Sequence, residues 1–148
     1  MTKPLRTTRA DYAHFLAIST RWSDNDVYGH INNVVYYSYF DTVVNEYLLR
    51  AGVLDFSEGE TIGLVVETRC NFFAPVVFPE PIEAGLRVER LGNTSVRYEV
   101  AIFAQGADEA AAQGHFVHVY VDRVTRRPVP LPAPLVAALK PLVTLVTG

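Results

Sequence analysis

The chain has 148 residues, 49% hydrophobic and 20% charged, which is long and apolar enough for one domain spanning residues 1–148. Its net charge of −3 excludes a general nucleic-acid binder, because binding to phosphate backbones requires a basic surface. The single cysteine, Cys70, excludes an internal disulfide and a cysteine-based zinc cluster. No segment approaches the ~18 uninterrupted apolar residues of a membrane span, and the N-terminus lacks the apolar core of a signal peptide. We therefore expect a cytoplasmic protein with no membrane partner.

The first predicted elements are a strand and a long helix. Residues 13–22, AHFLAISTRW, tolerate β-structure and end where a polar run begins, which predicts a strand. Asn32 or Asn33 is then expected to cap a helix through residues 34–51. The helix should end at Gly52, because glycine suits the left-handed position that follows many helices. Its apolar residues cover a broad arc, which predicts that other structure largely encloses the helix.

Strand patterns follow the helix. The predicted strands are residues 64–73, 81–91, 95–105 and 113–124. Residues 92–94, Gly-Asn-Thr, predict a hairpin turn in which Gly92 and Asn93 can take positive φ. Prolines at positions 75, 79 and 81 mark a corner before the third strand, because proline cannot lie inside a central strand. The tail, residues 127–145, is expected to begin extended and finish in a short helix.

This order of elements favours an α+β fold. A curved antiparallel sheet of about five strands, wrapped around one long central helix, satisfies it. The edges of so short a sheet commonly pair with a second copy. We therefore expect a homodimer or a homotetramer.

Short polar side chains gather in residues 21–33, RWSDNDVYGHINN, directly in front of the helix. Asp24, Asp26 and His30 are possible metal ligands, but no His-x-x-x-His or Glu-x-x-His pair supports them, so no metal is expected. A nucleophile elbow and a phosphate-binding loop are both absent from the sequence. A helix cap alone would need only one such polar residue.

The start of the helix offers the chemistry of acyl transfer. Its free amides and partial positive charge can stabilise a developing oxyanion. A carboxylate a few residues upstream can act beside them as nucleophile or general base. The polar run therefore predicts an active site rather than only a cap.

Residues 24–37, DNDVYGHINNVVYY, resemble the aspartate-containing signature of the 4-hydroxybenzoyl-CoA thioesterase type in the hotdog-fold superfamily. The pattern D-x-x-x-H-x-N-N is similar to that of acyl-CoA thioester hydrolases and plant acyl-carrier thioesterases. Residues 71–100 and 117–132 resemble the family's proline corner, third hairpin and closing strand. The resemblance implies a hotdog fold and a thioesterase that hydrolyses acyl-CoA without a cofactor, with acyl carrier protein as the second choice of carrier.

The resemblance also implies roles for single residues. Asp26 takes the place of the catalytic carboxylate, and His30 takes a positioning role. Backbone amides from about Asn32 to Val34, and so those of Asn32 and Asn33, are the implied oxyanion donors. Tyr28 stands where the plant enzymes carry an asparagine.

Substrate contacts are predicted at four positions. Tyr28 in the polar run and Tyr36 on the aromatic face of the helix are assigned to substrate binding. Arg126 and Arg127 are assigned to the phosphates of coenzyme A, because guanidinium groups bind phosphate oxygens bidentately.

Two other functions stay open. Some hotdog proteins use an Asp/His pair to hydrate an enoyl thioester, and a non-catalytic acyl-CoA-binding protein is the third alternative. His115 and His118 in the last strand are expected to be structural or surface residues.

Overall fold

The computed structural model describes residues 5–55 and 57–143. Its five strands are β1 His14–Ile18, β2 Thr61–Phe72, β3 Ile82–Leu91, β4 Ser95–Ala104 and β5 Ala112–Asp122. Its two α-helices are α1 Asn33–Arg50 and α2 Ala133–Leu139. Single 3₁₀ turns lie at Arg9–Asp11, Trp22–Asp24 and Lys140–Leu142.

All five strands form one antiparallel sheet in the order β1-β3-β4-β5-β2. The short β1 and the long β2 are therefore the two edges. The pairs Leu86 with Val100 and Glu99 with His115 show the register across the centre. The prediction of an antiparallel sheet of about five strands is confirmed.

Helix α1 packs on one face of the sheet, which we call the inner face. The helix buries Tyr36, Tyr39, Phe40, Val43, Val44 and Leu48. They join one core with inward-facing strand residues such as Leu86, Val88, Val100 and Phe116. Because strand side chains alternate between faces, Arg87, Glu99 and His115 point to the opposite, outer face.

The side of α1 turned away from the sheet stays exposed in the single chain. Ser38, Asp41 and Thr42 lie there, together with the apolar Val34 and Leu49. The expected enclosure is thus present only on the sheet side. The helix has 18 residues, which corresponds to roughly 27 Å.

Both ends of α1 follow local chemistry. Asn32, rather than Asn33, is the N-cap, and its side-chain oxygen accepts a hydrogen bond from the Val34 amide at 3.1 Å. At the other end Gly52 has φ +72°. The amide of Gly52 donates to Leu49 O at 3.0 Å and the amide of Val53 to Leu48 O at 3.1 Å, which is a Schellman motif.

Two local predictions differ from the structure. The first strand ends at Ile18 instead of continuing to residue 22, because Asp24 hydrogen-bonds back to the Arg21 amide and holds a 3₁₀ turn there. Gly92 and Asn93 do not take positive φ. The Gly92 amide donates to Ser95 O at 2.8 Å, so the chain turns within residues 92–95 without positive φ at any of them.

The corner and the tail follow the predictions within the described residues. The proline-containing segment 73–81 connects β2 to β3. After β5 the chain reverses and runs extended beside it, where the Val129 amide donates to Tyr120 O at 2.9 Å. Helix α2 then buries Leu135 and Leu139 against the core. Residues 144–145 of the predicted tail lie outside the described residues.

Candidate active site

The polar loop, residues 21–32, is anchored by Asp24, which is only 1% exposed. Its carboxylate accepts hydrogen bonds from the Arg21 amide at 2.9 Å, from Arg21 Nε at 3.0 Å and from the Tyr39 hydroxyl at 2.8 Å. Burial alone would raise the pKa of Asp24, but these hydrogen bonds lower it below its ordinary value. Asp24 is therefore an ionised anchor whose oxygens are already occupied.

The loop is also tied to the proline corner. Asn25 Oδ1 accepts a hydrogen bond from the Phe78 amide at 3.2 Å, and the Ile31 amide donates to Val76 O at 2.8 Å. Ile31 is buried in the main core. These contacts hold the loop between the corner and the start of α1.

A tight reversal within the loop carries Asp26. The Asp26 amide donates to His30 O at 2.9 Å, and the Gly29 amide donates to Asp26 O at 3.1 Å. Gly29 has φ +88°, and a Cβ atom there would meet nothing within 4 Å. Glycine is therefore required at this position by its backbone conformation, which residues with a side chain rarely adopt.

The Asp26 carboxylate is only partly committed. Its Oδ1 accepts one hydrogen bond, from the Tyr28 amide at 2.8 Å. Within residues 5–55 and 57–143, no donor is seen for Oδ2. Asp26, Tyr28 and Asn32 line a cavity of about 840 Å³, together with Trp22. The carboxylate thus has an oxygen available for chemistry in an open cavity.

His30 points into a different depression. It lines a cavity of about 260 Å³ with Asn33, Tyr36 and Phe72. Tyr36 packs edge-on against Phe72, with ring centroids 5.1 Å apart, and burial raises the pKa of its hydroxyl to about 12. Asp26 and His30 belong to one turn, but the side chains line separate cavities of the single chain.

The amides at the start of α1 are not equally available. The Asn32 amide donates to Asp24 O at 2.9 Å, and the Val34 amide is capped by the Asn32 side chain. The Asn33 amide has no acceptor within the described part of the chain. Of the predicted oxyanion donors, the Asn33 amide is therefore uncommitted within the described residues. The Asn32 amide is bonded to Asp24, and the Asn32 side chain caps the helix.

Arg126 and Arg127 lie far from these residues in the same chain. They occupy the exposed turn after β5, where Arg126 has φ +62° and its amide donates to Asp122 O at 2.9 Å. The opposite end of β5, Ala112, pairs with Phe72 beside Tyr36. The 11 residues of β5 span roughly 35 Å. One chain alone does not bring the two arginines to Asp26.

Sequence reasoning missed Trp22 as a component of the site. Its side chain is 76% exposed in the Asp26 cavity, and its ring lies 6.0 Å from that of Phe78. The available signal was the position of the chain's single tryptophan inside a polar stretch. An exposed tryptophan beside the Asp26 carboxylate offers a binding surface.

The described residues contain neither a candidate metal centre nor a membrane-spanning helix. Within residues 5–55 and 57–143, there is no group of three His, Cys, Asp or Glu side chains that could hold a metal ion. Among the described helices, none combines the length and apolarity needed to cross a membrane.

Comparison with known proteins gives three main findings. PA5185 from Pseudomonas aeruginosa strain PAO1 is 57% identical over 95% of this chain and 98% of that protein, and the two structures superpose with a TM-score of 0.92. A predicted thioesterase from Bacillus stearothermophilus is 25% identical over 88% of this chain and 96% of its own, with a TM-score of 0.77. The uncharacterized protein YsmA of Bacillus subtilis (strain 168) is 24% identical over 93 residues. That match spans 63% of each chain, less than two thirds of YsmA.

A family model matches the greater part of the sequence. Residues 20–139 fit the model of the thioesterase-like superfamily, and they contain the polar loop, α1 and strands β2 to β5. The chain belongs to the thioesterase-like superfamily.

Proposed function

We propose that this protein hydrolyses an acyl-CoA thioester to a free acid and coenzyme A. The observation that carries the proposal is the state of Asp26, a carboxylate with one oxygen engaged and one available in an open cavity. Membership of the thioesterase-like superfamily supports a hydrolase, and the resemblance of residues 24–37 to thioesterase signatures supports the acyl-CoA class.

The proposed reaction places charge at the start of α1. Asp26 either attacks the thioester carbonyl carbon, forming an anhydride that water then cleaves, or takes a proton from the water that attacks. In both cases the carbonyl oxygen becomes negatively charged as the tetrahedral intermediate forms. The uncommitted Asn33 amide and the helix dipole stabilise that oxygen. The C–S bond then breaks, and coenzyme A leaves as the thiol after protonation.

The surrounding side chains suit an acyl group with apolar or aromatic character. Tyr36 and Phe72 form an aromatic wall in the His30 cavity, and Trp22 and Tyr28 present aromatic surface beside Asp26. Tyr28 is 81% exposed in the single chain. In the proposed complex these rings contact the substrate, while His30 positions the thioester or the water.

A second copy of the chain completes the site in this proposal. The edge strand β2 exposes Val65 and Val66, and the loop exposes Val27 near Asp26. If β2 pairs antiparallel with its copy, the Phe72 end of one chain lies beside the Thr61 end of the other. Thr61 pairs with Asp122, which precedes the turn that carries Arg126 and Arg127. The partner's arginines then approach the Asp26 site and can meet the phosphates of coenzyme A.

The test is a panel of aromatic and aliphatic acyl-CoAs with free thiol as the readout. We expect thiol release with at least one of them, and its loss in Asp26→Asn. Hydration of an enoyl-CoA without thiol release would instead establish the hydratase. Stoichiometric binding of acyl-CoA without turnover would establish the non-catalytic binder. Either result would contradict the proposed hydrolysis.

A further inference from the structure

A row of four polar side chains crosses the outer face of the sheet, away from α1. Arg87 on β3 is paired with Glu99 on β4, Glu99 with His115 on β5, and His115 with Arg69 on β2. Directly opposed residues of antiparallel strands point to the same face, so these side chains are neighbours. The row lies in the middle of the sheet, outside the polar loop.

A cavity of about 460 Å³ lies over this row. The N-terminal segment forms one wall through Leu5, Thr7 and Tyr12. It is tied down because the Thr7 amide donates to Gln113 Oε1 at 2.7 Å and Gln113 Nε2 donates to Leu5 O at 2.8 Å. The volume falls in the range of small-molecule sites, and the wall is built from specific hydrogen bonds.

Most polar groups of the cavity already have partners. Arg87 is bonded to Glu99 and also donates to Asp11 O at 3.0 Å. Burial raises the pKa of Glu99, and a neighbouring carboxyl adds to the effect, while the Arg87 guanidinium opposes it. Glu99 is the only carboxylate among the described residues that line the cavity.

His115 is held as a hydrogen-bond relay. Arg97 Nη2 lies 3.1 Å from His115 Nδ1, and His115 Nε2 lies 2.8 Å from Glu67 Oε1. A guanidinium only donates, so Nδ1 accepts and the ring proton is on Nε2, which donates to Glu67. Arg97 is also paired with Glu89 outside the cavity. A change in the position or charge environment of the Arg97 guanidinium should therefore alter the hydrogen bond to the His115 imidazole.

Positive charge is left over at this face. Arg69 lines the cavity with Arg87 and Arg97, and its side chain has no partner within the described residues. Arg90 lies directly opposite Arg97 on the neighbouring strand. Glu89 compensates Arg97, so the uncompensated positive charge that lines the cavity is that of Arg69.

We propose that this outer-face cavity binds a small ligand through an oxyanion, either a carboxylate or a phosphate. Arg69 and Arg97 are the guanidinium groups that bind it, because both face the cavity and Arg69 has no competing partner. The side-chain amide of Asn71 lines the same cavity and gives a directional contact, whereas the amide of Gln113 holds Leu5 and Thr7 in the wall. The site is separate from Asp26 and does not depend on the proposed hydrolysis.

Calorimetric titration tests the proposal on the full-length protein. Inorganic phosphate and malonate are titrated separately at constant ionic strength, so that simple screening of surface charge does not change. We expect saturable binding of at least one anion. Arg69→Gln should weaken it about tenfold or more, the usual effect of losing a charge-assisted hydrogen bond. This variant should fold normally, because the Arg69 side chain holds no protein partner.

Arg50→Gln is the matched control, because it removes the same charge from α1, where Arg50 is exposed and paired with Glu46. It should bind the anion as the wild type does. In the NMR spectrum, the ring signals of His115 should shift with the anion along the same binding curve, while those of the buried His118 should not.

Three results would overturn the proposal. The first is no saturable binding of either anion to the wild type. The second is equal binding by Arg69→Gln and the wild type. The third is a change of assembly mass in Arg69→Gln with no loss of anion binding, which would make the outer face a contact between copies of the chain.

Discussion

Asp24 and Asp26 are two positions apart, yet their environments are opposite. Asp24 is buried and accepts three hydrogen bonds from Arg21 and Tyr39. Asp26 is half-buried and accepts one, from the Tyr28 amide. The buried carboxylate fixes the loop, and the half-buried one is available for reaction. This difference is the reason for proposing Asp26 alone as the reacting group.

Replacing Asp26 by asparagine separates its chemical role from its structural one. The amide keeps the size of the side chain and the oxygen that accepts from Tyr28, but it cannot act as nucleophile or base. We expect kcat to fall by about two to four orders of magnitude, with KM and unfolding midpoint nearly unchanged. Thiol release from the best acyl-CoA gives kcat and KM. Asp41→Asn, which changes an exposed carboxylate of α1, is the control and should keep full activity.

His30 should contribute less than Asp26. Its ring lies in the neighbouring cavity, and its assigned role is to position a reactant. We expect His30→Ala to lower kcat/KM by less than Asp26→Asn does, in the same thiol assay. A larger loss in His30→Ala would reverse the proposed roles of the two residues.

His118 makes folding stability depend on pH. It is 4% exposed among Tyr98, Phe116 and Tyr120, and neither ring nitrogen has a hydrogen-bond partner among the described residues. Burial lowers its pKa to about 4, although Asp41 on α1 opposes the shift. The ordinary value is about 6.5, so between these values the unfolded chain binds a proton that the folded chain does not. Stability must therefore fall as pH falls through this window.

Because of His118, we expect the free energy of unfolding to fall by about 2 kcal/mol between pH 7 and pH 5. His118→Phe keeps an aromatic ring and removes the titrating group, so its acid destabilisation should be smaller by that amount. Urea unfolding at both pH values measures the difference. His30→Ala, which removes an exposed imidazole, is the control. If His118→Phe loses as much stability as the wild type, His118 does not carry the effect.

At the scale of elements, α1 shows how local chemistry sets boundaries. Asn32 supplies an acceptor for an amide of the first turn, and Gly52 supplies the left-handed residue that closes the last. Both functions depend on neighbours within a few positions, and both were predicted from the sequence. The end of β1 was not, because it depends on the burial of Asp24 beneath Tyr39.

Gly52→Ala tests the Schellman end of α1. Gly52 has φ +72°, and a Cβ atom there would meet nothing within 4 Å. The cost is therefore backbone strain alone, about 1–2 kcal/mol of unfolding free energy. Urea unfolding measures it, and KM should stay unchanged because the residue lies at the far end of the helix. Gly29→Ala is the comparison, since it has similar strain but should also lower kcat by moving the Asp26 turn.

At the scale of the molecule, the sheet separates two regions of different chemistry. The polar loop, the start of α1 and the proline corner form the candidate active site. The outer face carries the arginine-lined cavity under the N-terminal segment. The uncovered β2 edge and the exposed apolar residues near Asp26 belong to the first region, and they are the features that a second copy would cover.

We expect a dimer or larger assembly in solution, and the 16.5 kDa single chain should not be the active species. Val66→Asp places a charge on the exposed β2 edge, where it should oppose pairing between copies. Light scattering should show a lower mass for this variant, and thiol release should fall with it. Gln105→Asp adds the same charge at a distant exposed turn and should change neither property. A wild-type protein that is monomeric and fully active would contradict the prediction.

Residue type and spacing were enough to predict the number of strands, both ends of α1 and the proline corner. These are local properties, because a cap, a turn or an alternating strand is decided by residues within a few positions. The tertiary structure alone decided that Asp24 is buried, that Asn33 keeps a free amide and that His30 faces a second cavity. It also decided that Arg126 lies at the far end of β5 and that Arg69, Arg97 and His115 meet on the outer face. Each of these depends on strand order and register, which join residues that are distant in the chain, and no local pattern specifies which strands become neighbours.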